Sequence, residues 1–163
     1  MFGFLINPPI FLYYSQGLNT TPIHAHSALF GVYGSLAIAL MLFALREIVP
    51  DRAWNEKLLR LSFWLLNGGL VMMLVFGLIP NGFYQLIQSV NHGTWYARSA
   101  EVISSSWMQW TVWLRIPGDI VFALGALVMV LFVMRAIVAV FHQPTQSSQI
   151  PQVDALLIKN MKI

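Results

Sequence analysis

The stretch PIHAHSALFGVYGSLAIALMLFAL, residues 22–45, decides the fold of this chain. A helix of about 20 apolar residues crosses the hydrocarbon core of a bilayer, which is about 30 Å thick. Thr20 or Thr21 can cap such a helix, Pro22 suits its first turn, and Arg46 follows its last apolar residue. The stretch therefore predicts a first transmembrane span over residues 22–45.

The composition of the whole chain agrees with a membrane location. Of its 163 residues, 58% are hydrophobic and only 9% are charged, whereas a soluble domain has about 25% charged residues. The chain has no cysteine, which excludes disulfides and thiolate metal ligands. The net charge of +3 is better explained by membrane topology than by nucleic-acid binding, so we expect no nucleic-acid partner.

Two further apolar stretches predict spans over residues 58–79 and 117–140. Pro80, followed by Asn81 and Gly82, is expected to end the second span. Within that span, Asn67-Gly68-Gly69 is a polar and small patch of the kind that usually marks close helix packing.

The segment before the third span is rich in tryptophan. Trp107, Trp110 and Trp113 recur every three residues, which predicts a helix along the membrane interface that turns into the bilayer at Pro117. Beyond Phe141 the sequence becomes polar. We therefore predict an all-α membrane protein with about three transmembrane helices and an interfacial helix over residues 1–141, followed by a polar tail over residues 142–163.

Basic residues predict the orientation of the spans. Seven of them lie on one side, in the first connection and after the third span, and only Arg98 and Arg115 lie on the other. The side with more Lys and Arg faces the cytoplasm. The C-terminus is therefore expected in the cytoplasm and the start of the first span near the outer surface. The seven are Arg46, Arg52, Lys57, Arg60, Arg135, Lys159 and Lys162.

His24 and His26 are the strongest candidates for a site. Two residues apart on a helix, they point about 200° apart, whereas one metal ion held by a single helix face usually requires a spacing of three or four. Histidines in a membrane are costly and tend to mark function. Two interpretations fit: axial ligands of two separate haems, one on each side of the helix, or interfacial histidines bonded to water and backbone. Small neighbours such as Ala25 and Gly31 leave room for a flat macrocycle, or simply for helix packing.

Other polar residues have simpler explanations. Asp119 is expected at the start of a helix, where the helix dipole stabilises a carboxylate. Arg98 and Arg115 lie on the side of the histidines and are candidates to approach haem propionates. His92 and His142 are expected on the surface, His92 in a loop.

Several motifs resemble one family. QGLNTTPIHAHSALFGVYG, residues 16–34, resembles the tenth core helix of respiratory nitric oxide reductases of the haem–copper oxidase superfamily. The segment from Asn7 to Tyr14, HGTWYARS at 92–99 and WLRIPGD at 113–119 resemble the C-terminal region of the same catalytic subunit. The sequences of these motifs are most similar to those of the quinol-dependent, single-subunit type.

The resemblance implies a redox function in the bacterial inner membrane. His24 would be the proximal ligand of the high-spin haem b3, and His26 one of two axial ligands of the low-spin haem b. A non-haem iron beside haem b3 would complete the site, where two NO molecules are reduced to N2O and water with electrons from quinol.

The family's catalytic subunit has a dozen or more helices, and three are expected here. The ligands of the non-haem iron and the second ligand of haem b belong to other helices in that family. We therefore expect the chain to be a C-terminal fragment that contacts the remaining helices of the same enzyme and membrane lipid. We expect this fragment to be inactive alone. An oxygen-reducing member of the superfamily and a cofactor-free packing or assembly subunit are the alternatives.

Overall fold

Three long apolar helices dominate the computed structural model, which describes residues 7–142. They are the first long helix, Thr20–Ile48, the second, Glu56–His92, and the third, Ser106–Phe141. Each is long and apolar enough to cross a membrane, which confirms the predicted all-α fold with three spans. Residues 143–163, most of the predicted tail, lie outside the described residues. Shorter helices cover Pro9–Ser15, Asp51–Ala53, Tyr96–Arg98 and Ala100–Ile103.

The first long helix changes its winding along its length. An α-helix over Thr20–Ala25 is followed by a π-helical stretch, His26–Gly34, and by a second α-helix, Ser35–Ile48. At the end of the π-helical stretch, the Ser35 backbone N–H still bonds to the carbonyl of Phe30, five residues back. The Ser35 hydroxyl donates to the same carbonyl at 3.3 Å. Stretches of this kind are rare and occur often at functional sites.

The second long helix continues past the proline that was predicted to end it. An α-helix over Glu56–Met72 leads into a π-helical stretch, Met73–Leu78, and then into an α-helix over Ile79–His92. Proline disrupts an α-helix because it lacks an N–H and its ring meets the carbonyl four residues back. Pro80 directly follows the π-helical stretch, where the hydrogen-bond register has already shifted, and it occupies the first turn of the next segment. The predicted end at Pro80 was therefore wrong by about three turns.

The third long helix includes the segment that was expected to lie along the interface. It runs without a break from Ser106 to Phe141, with Pro117 inside it. The predicted turn at Pro117 is therefore not found. A proline within a membrane helix is tolerated where neighbouring groups compensate for the lost backbone bond. Trp107, Trp110 and Trp113 lie in its first turns and are exposed, as an aromatic belt requires.

Glycines hold the second and third long helices together. A Cβ on Gly69 would overlap the backbone of Phe122, and a Cβ on Gly125 would lie 2.7 Å from the backbone nitrogen of Leu66. The buried Ser62 hydroxyl donates to the Gly125 carbonyl at 2.8 Å. The patch at 67–69 therefore marks close helix packing, as predicted. The same contact recurs at Gly77 and Gly118.

The first long helix is attached to the other two mainly through its first turns. Thr20 and Ile23 are buried, whereas no residue from 26 to 48 is buried. Gly82 of the second long helix makes the contact possible, because a Cβ there would lie 2.7 Å from the Ile23 side chain. Most of the surface of the first long helix is therefore free to contact lipid, a cofactor or other helices.

Adjacent glycines give a matched test of this packing. Gly69→Ala places a methyl group against the backbone of Phe122, whereas Gly68→Ala meets nothing within 4 Å. We expect Gly69→Ala to lower the free energy of unfolding by about 1–3 kcal/mol through overpacking. Gly68→Ala should leave it unchanged or raise it by up to about 1 kcal/mol. Unfolding in mixed detergent micelles, followed by circular dichroism, measures both. Equal losses in the two variants would contradict the packing.

Candidate functional site

The two histidines lie where the first long helix changes from α to π winding. His24 is in the last turn of the α-helix Thr20–Ala25, and His26 is the first residue of the π-helical stretch. Both side chains are half-buried. Because residues advance by about 100° in the α-helical turn that contains them, the two rings leave the helix on roughly opposite sides. One ion therefore cannot bind both side chains.

A hydrogen bond fixes the ring of His26. Its Nδ1 lies 2.8 Å from the carbonyl oxygen of Pro22, one turn earlier. A carbonyl oxygen only accepts, so Nδ1 carries the proton and the neutral ring keeps its Nε2 lone pair free. Metal-binding histidines usually donate their other ring N–H to a carbonyl or carboxylate in this way. This arrangement of His26 is compatible with a histidine ligand, and the exposed His142 shares it through its own bond to Val138.

A cleft of about 640 Å³ separates the first long helix from the other two. Neither histidine lines it. The lining residue that follows the histidines most closely in the sequence is Phe30. It comes four residues after His26 and so lies on the same side of the helix. Mostly apolar side chains form the walls, and Glu56 and Arg60 stand at the far end, in the first turns of the second long helix.

Small residues shape the wall of the cleft on the first long helix. Gly31 and Ser35 line it, together with Ala39. Gly31 was predicted to leave room for a flat group, and the structure places it beside open space, whereas Ala25 does not line the cleft. Gly34 has a different role, because a Cβ there would lie 3.0 Å from the ring of Phe30.

Polar side chains tie the start of the first long helix to the end of the second. Gln85 is buried, and its Oε1 accepts hydrogen bonds from the backbone N and the side-chain Nδ2 of Asn19, each at 2.8 Å. Its Nε2 donates to the carbonyl of Ala97 at 3.1 Å. We call Gln85, with Asn19 and Ala97, the Gln85 bridge.

Two further bonds support the Gln85 bridge. The buried Ser89 hydroxyl donates to the carbonyl of Tyr14 at 2.7 Å. The Arg98 guanidinium donates to the carbonyl of Gln16, and it packs on Gly17, whose φ of +73° suits glycine. Hydrogen bonds from Gln85, Ser89 and Arg98 thus hold the segment that precedes the histidines.

The sequence did not reveal the Gln85 bridge, although a signal was present. Asn81, Gln85 and Ser89 recur every four residues, so they share one helical face, and all three are buried. The predicted end of the second span at Pro80 placed them outside a helix, which concealed that spacing.

The predicted charged residues occupy different surroundings from those expected. Asp119 is not at a helix start but more than three turns inside the third long helix, and its Oδ1 accepts a hydrogen bond from Arg115 Nε at 3.1 Å. The dipole explanation for Asp119 is therefore wrong, and an ion pair replaces it. Arg98 binds a backbone carbonyl, as described above.

The two remaining histidines are exposed, as expected. His92 is the last residue of a helix rather than a loop residue. Near it, the Tyr96 hydroxyl donates to Glu101 Oε1 at 3.2 Å. Desolvation, and then the Glu101 carboxylate, raise the pKa of the Tyr96 phenol, so it stays a neutral donor.

Sequence comparison now assigns the family. The family of cytochrome c and quinol oxidase polypeptide I matches residues 1–121. The chain belongs to this family. The match includes both histidines, the Gln85 bridge and the contacts of Gly77 and Gly118, and it ends just before Phe122. The family binds haems. Among curated proteins no significant match is found.

Membership in the cytochrome c and quinol oxidase polypeptide I family places the chain in the haem–copper oxidase superfamily, whose members are membrane oxidoreductases. The residues present fit haem ligation: a histidine with a free Nε2, small residues beside a cleft and an uncovered helix. Within residues 7–142, no group of three or more His, Cys, Asp or Glu gathers to hold a further metal ion.

The hydrogen bond of His26 leads to a spectroscopic prediction. In chain labelled with ¹⁵N-histidine and reconstituted in bilayers without haem, the neutral form of the His26 ring should carry its proton on Nδ1 rather than on Nε2. Substitution of Pro22 leaves the carbonyl in place, so Pro22→Ala should keep this tautomer. His142 provides an internal comparison for the signal of this tautomer. Its Nδ1 makes the same 2.8 Å bond to the carbonyl of Val138, but the side chain is exposed. A protonated Nε2 on His26 would contradict the assignment.

Proposed function

We propose that this chain is part of a respiratory nitric oxide reductase and supplies one axial ligand to each of two b-type haems. His24 would bind the iron of the high-spin haem b3, and His26 the iron of the low-spin haem b. The hydrogen bond from His26 Nδ1 to Pro22, which leaves Nε2 free, is the observation that carries the proposal. Family membership and the motif around the histidines support it.

Because both histidines lie on the first long helix, the chain would connect the two haems for electron transfer. When bound, the haems supply electron transfer and the site at which 2 NO, two electrons and two protons become N2O and H2O. His26 would hold its haem on the side of the helix that carries Phe30, a residue of the cleft wall. His24 holds the other on the opposite side, so the helix keeps both groups at a fixed separation.

The other components of the proposed site come from partner helices of the same enzyme. The described residues gather no third ligand set, so the non-haem iron and the second ligand of haem b would be held by those helices. The uncovered surface of residues 26–48 is where they would pack, together with membrane lipid. Electrons would come from quinol, and the isolated chain would be inactive.

The proposed membrane is the bacterial cytoplasmic membrane, which the resemblance to nitric oxide reductases implies, and the distribution of charge supports an orientation with the histidine end outside. The basic connection after the first long helix, Arg46 to Arg60, would face the cytoplasm. Arg46 is fixed there, since its guanidinium bonds to Asp51 at 2.5 Å and lies 5.0 Å from the ring of Trp54.

An oxygen-reducing enzyme is the second candidate, because the matched family is described as cytochrome c and quinol oxidases. The two histidines serve both reactions equally. A packing or assembly subunit without cofactor is a third, weaker reading, since it leaves the free Nε2 of His26 without a role.

Haem ligation can be tested on the full chain by absorption spectroscopy. Co-expressed with haem synthesis and with the partner helices that carry the second ligand of haem b, and purified in detergent, the chain should show Soret and α bands. His26→Ala should remove most of the low-spin signal and His24→Ala the high-spin signal. His92→Ala, on an exposed histidine of the same end, should change neither. Bands that survive in the His24→Ala/His26→Ala double variant would refute ligation, and a chain without haem would favour the packing role.

Turnover separates the two reactions. Membranes from cells that express the chain with its partner helices should consume NO and release N2O, and the activity should fall at least about 100-fold in His24→Ala. The purified chain alone, loaded with haem, should not turn over NO. Consumption of O2 but not NO would establish the oxidase candidate instead, and appreciable turnover by the isolated chain would contradict the shared site.

A further inference from the structure

Gln85 is an unusual residue for an apolar helix. It is only 5% exposed, and its side-chain amide makes three hydrogen bonds to two different segments. Its orientation is unambiguous: the backbone N–H of Asn19 only donates and the carbonyl of Ala97 only accepts, so oxygen faces Asn19 and nitrogen faces Ala97.

Asn19 is the position through which Gln85 acts on the first long helix. It is the N-cap residue of Thr20–Ala25, and its own side chain makes no capping bond. Its backbone N–H instead binds Gln85, five residues before His24. A helix start held at a fixed point determines the rotation of every residue in the turns that follow.

Beyond its first turns, the first long helix has few other restraints on that rotation, chiefly the edge-to-face contact of Phe30 with Phe122, whose ring centroids lie 4.7 Å apart. No residue from 26 to 48 is buried, and the buried contacts of the helix are those of Thr20 and Ile23. A rotation of about 20° moves an atom about 6 Å from the helix axis by about 2 Å. Functional groups need to be held within about 0.5 Å.

We propose that Gln85 is the positioning residue that sets the rotation and depth of the His24–His26 pair. It acts through Asn19 and touches neither histidine. The expected effect of Gln85 on haem binding rests on the proposed function, because the placement of the two rings matters most when they bind haem. The restraint on residues 19–26 is a property of the chain itself and can be measured without haem.

The test compares two glutamines of one helix. Gln85→Leu removes all three hydrogen bonds, whereas Gln88→Leu, one turn later and half-buried, removes the same group where it bonds to no other segment. Gln85→Glu keeps an oxygen toward Asn19 and loses the amide donor to Ala97. It therefore serves as the conservative variant, and it remains informative if Gln85→Leu fails to fold.

Two measurements are made on the full chain in lipid nanodiscs. Without haem, hydrogen exchange of the amides of residues 19–26 should be about tenfold faster in Gln85→Leu and unchanged in Gln88→Leu, because one buried anchor is lost. In Gln85→Glu the rate should stay within about twofold of the parent chain. With haem, in nanodiscs that also hold the co-expressed partner helices, the low-spin spectrum should broaden or lose at least half its intensity in Gln85→Leu and should be retained in Gln85→Glu.

The outcomes separate the two proposals. A parent chain that binds no haem overturns the proposed function, and exchange still decides the role of Gln85. Equal exchange in Gln85→Leu and Gln88→Leu, or equal loss of the low-spin spectrum in Gln85→Leu, Gln85→Glu and Gln88→Leu, overturns the positioning role. Faster exchange with an altered low-spin spectrum in Gln85→Leu alone supports it.

Discussion

Close contact between the second and third long helices is the constraint on which the remaining structure depends. Lipid tails are as apolar as leucine, so helices in a bilayer gain little from hydrophobic burial and depend on dense packing and on hydrogen bonds. Gly69 and Gly125 allow the two backbones to approach within reach of the Ser62 hydroxyl. The pair forms a rigid base to which the first long helix is attached.

Attachment at one end leaves most of the surface of the first long helix uncovered. Its first turns are buried and bonded to the base, and the residues that follow are not. A helix packed along its whole length would have no free side for a large flat group. Held mainly at its start, it carries its two histidines on roughly opposite sides, while polar bonds keep the start in place.

Much of the fold could be predicted because the membrane imposes simple rules on sequence. Three apolar stretches of sufficient length gave three helices, and the glycine patch at 67–69 gave a packing contact. The error at Pro80 has a local cause, since a π-helical stretch immediately before it changes the hydrogen-bond register. Sequence patterns with α-helical spacing contain no signal for such a stretch. The Gln85 bridge was missed for the same reason, because its face lies beyond that proline.

The sequence by itself determined that the chain is a membrane protein, that residues 7–142 contain three helices long enough to cross a bilayer, and that His24 and His26 face apart. Each of these follows from local rules: hydropathy over about 20 residues and a fixed angle per residue. Only the tertiary structure decided which nitrogen of His26 is free, what holds the histidine helix at its start, and that Asp119 pairs with Arg115 inside a helix. Those properties depend on winding and on atoms distant in sequence, Asn19 and Gln85 among them, which only folding brings together.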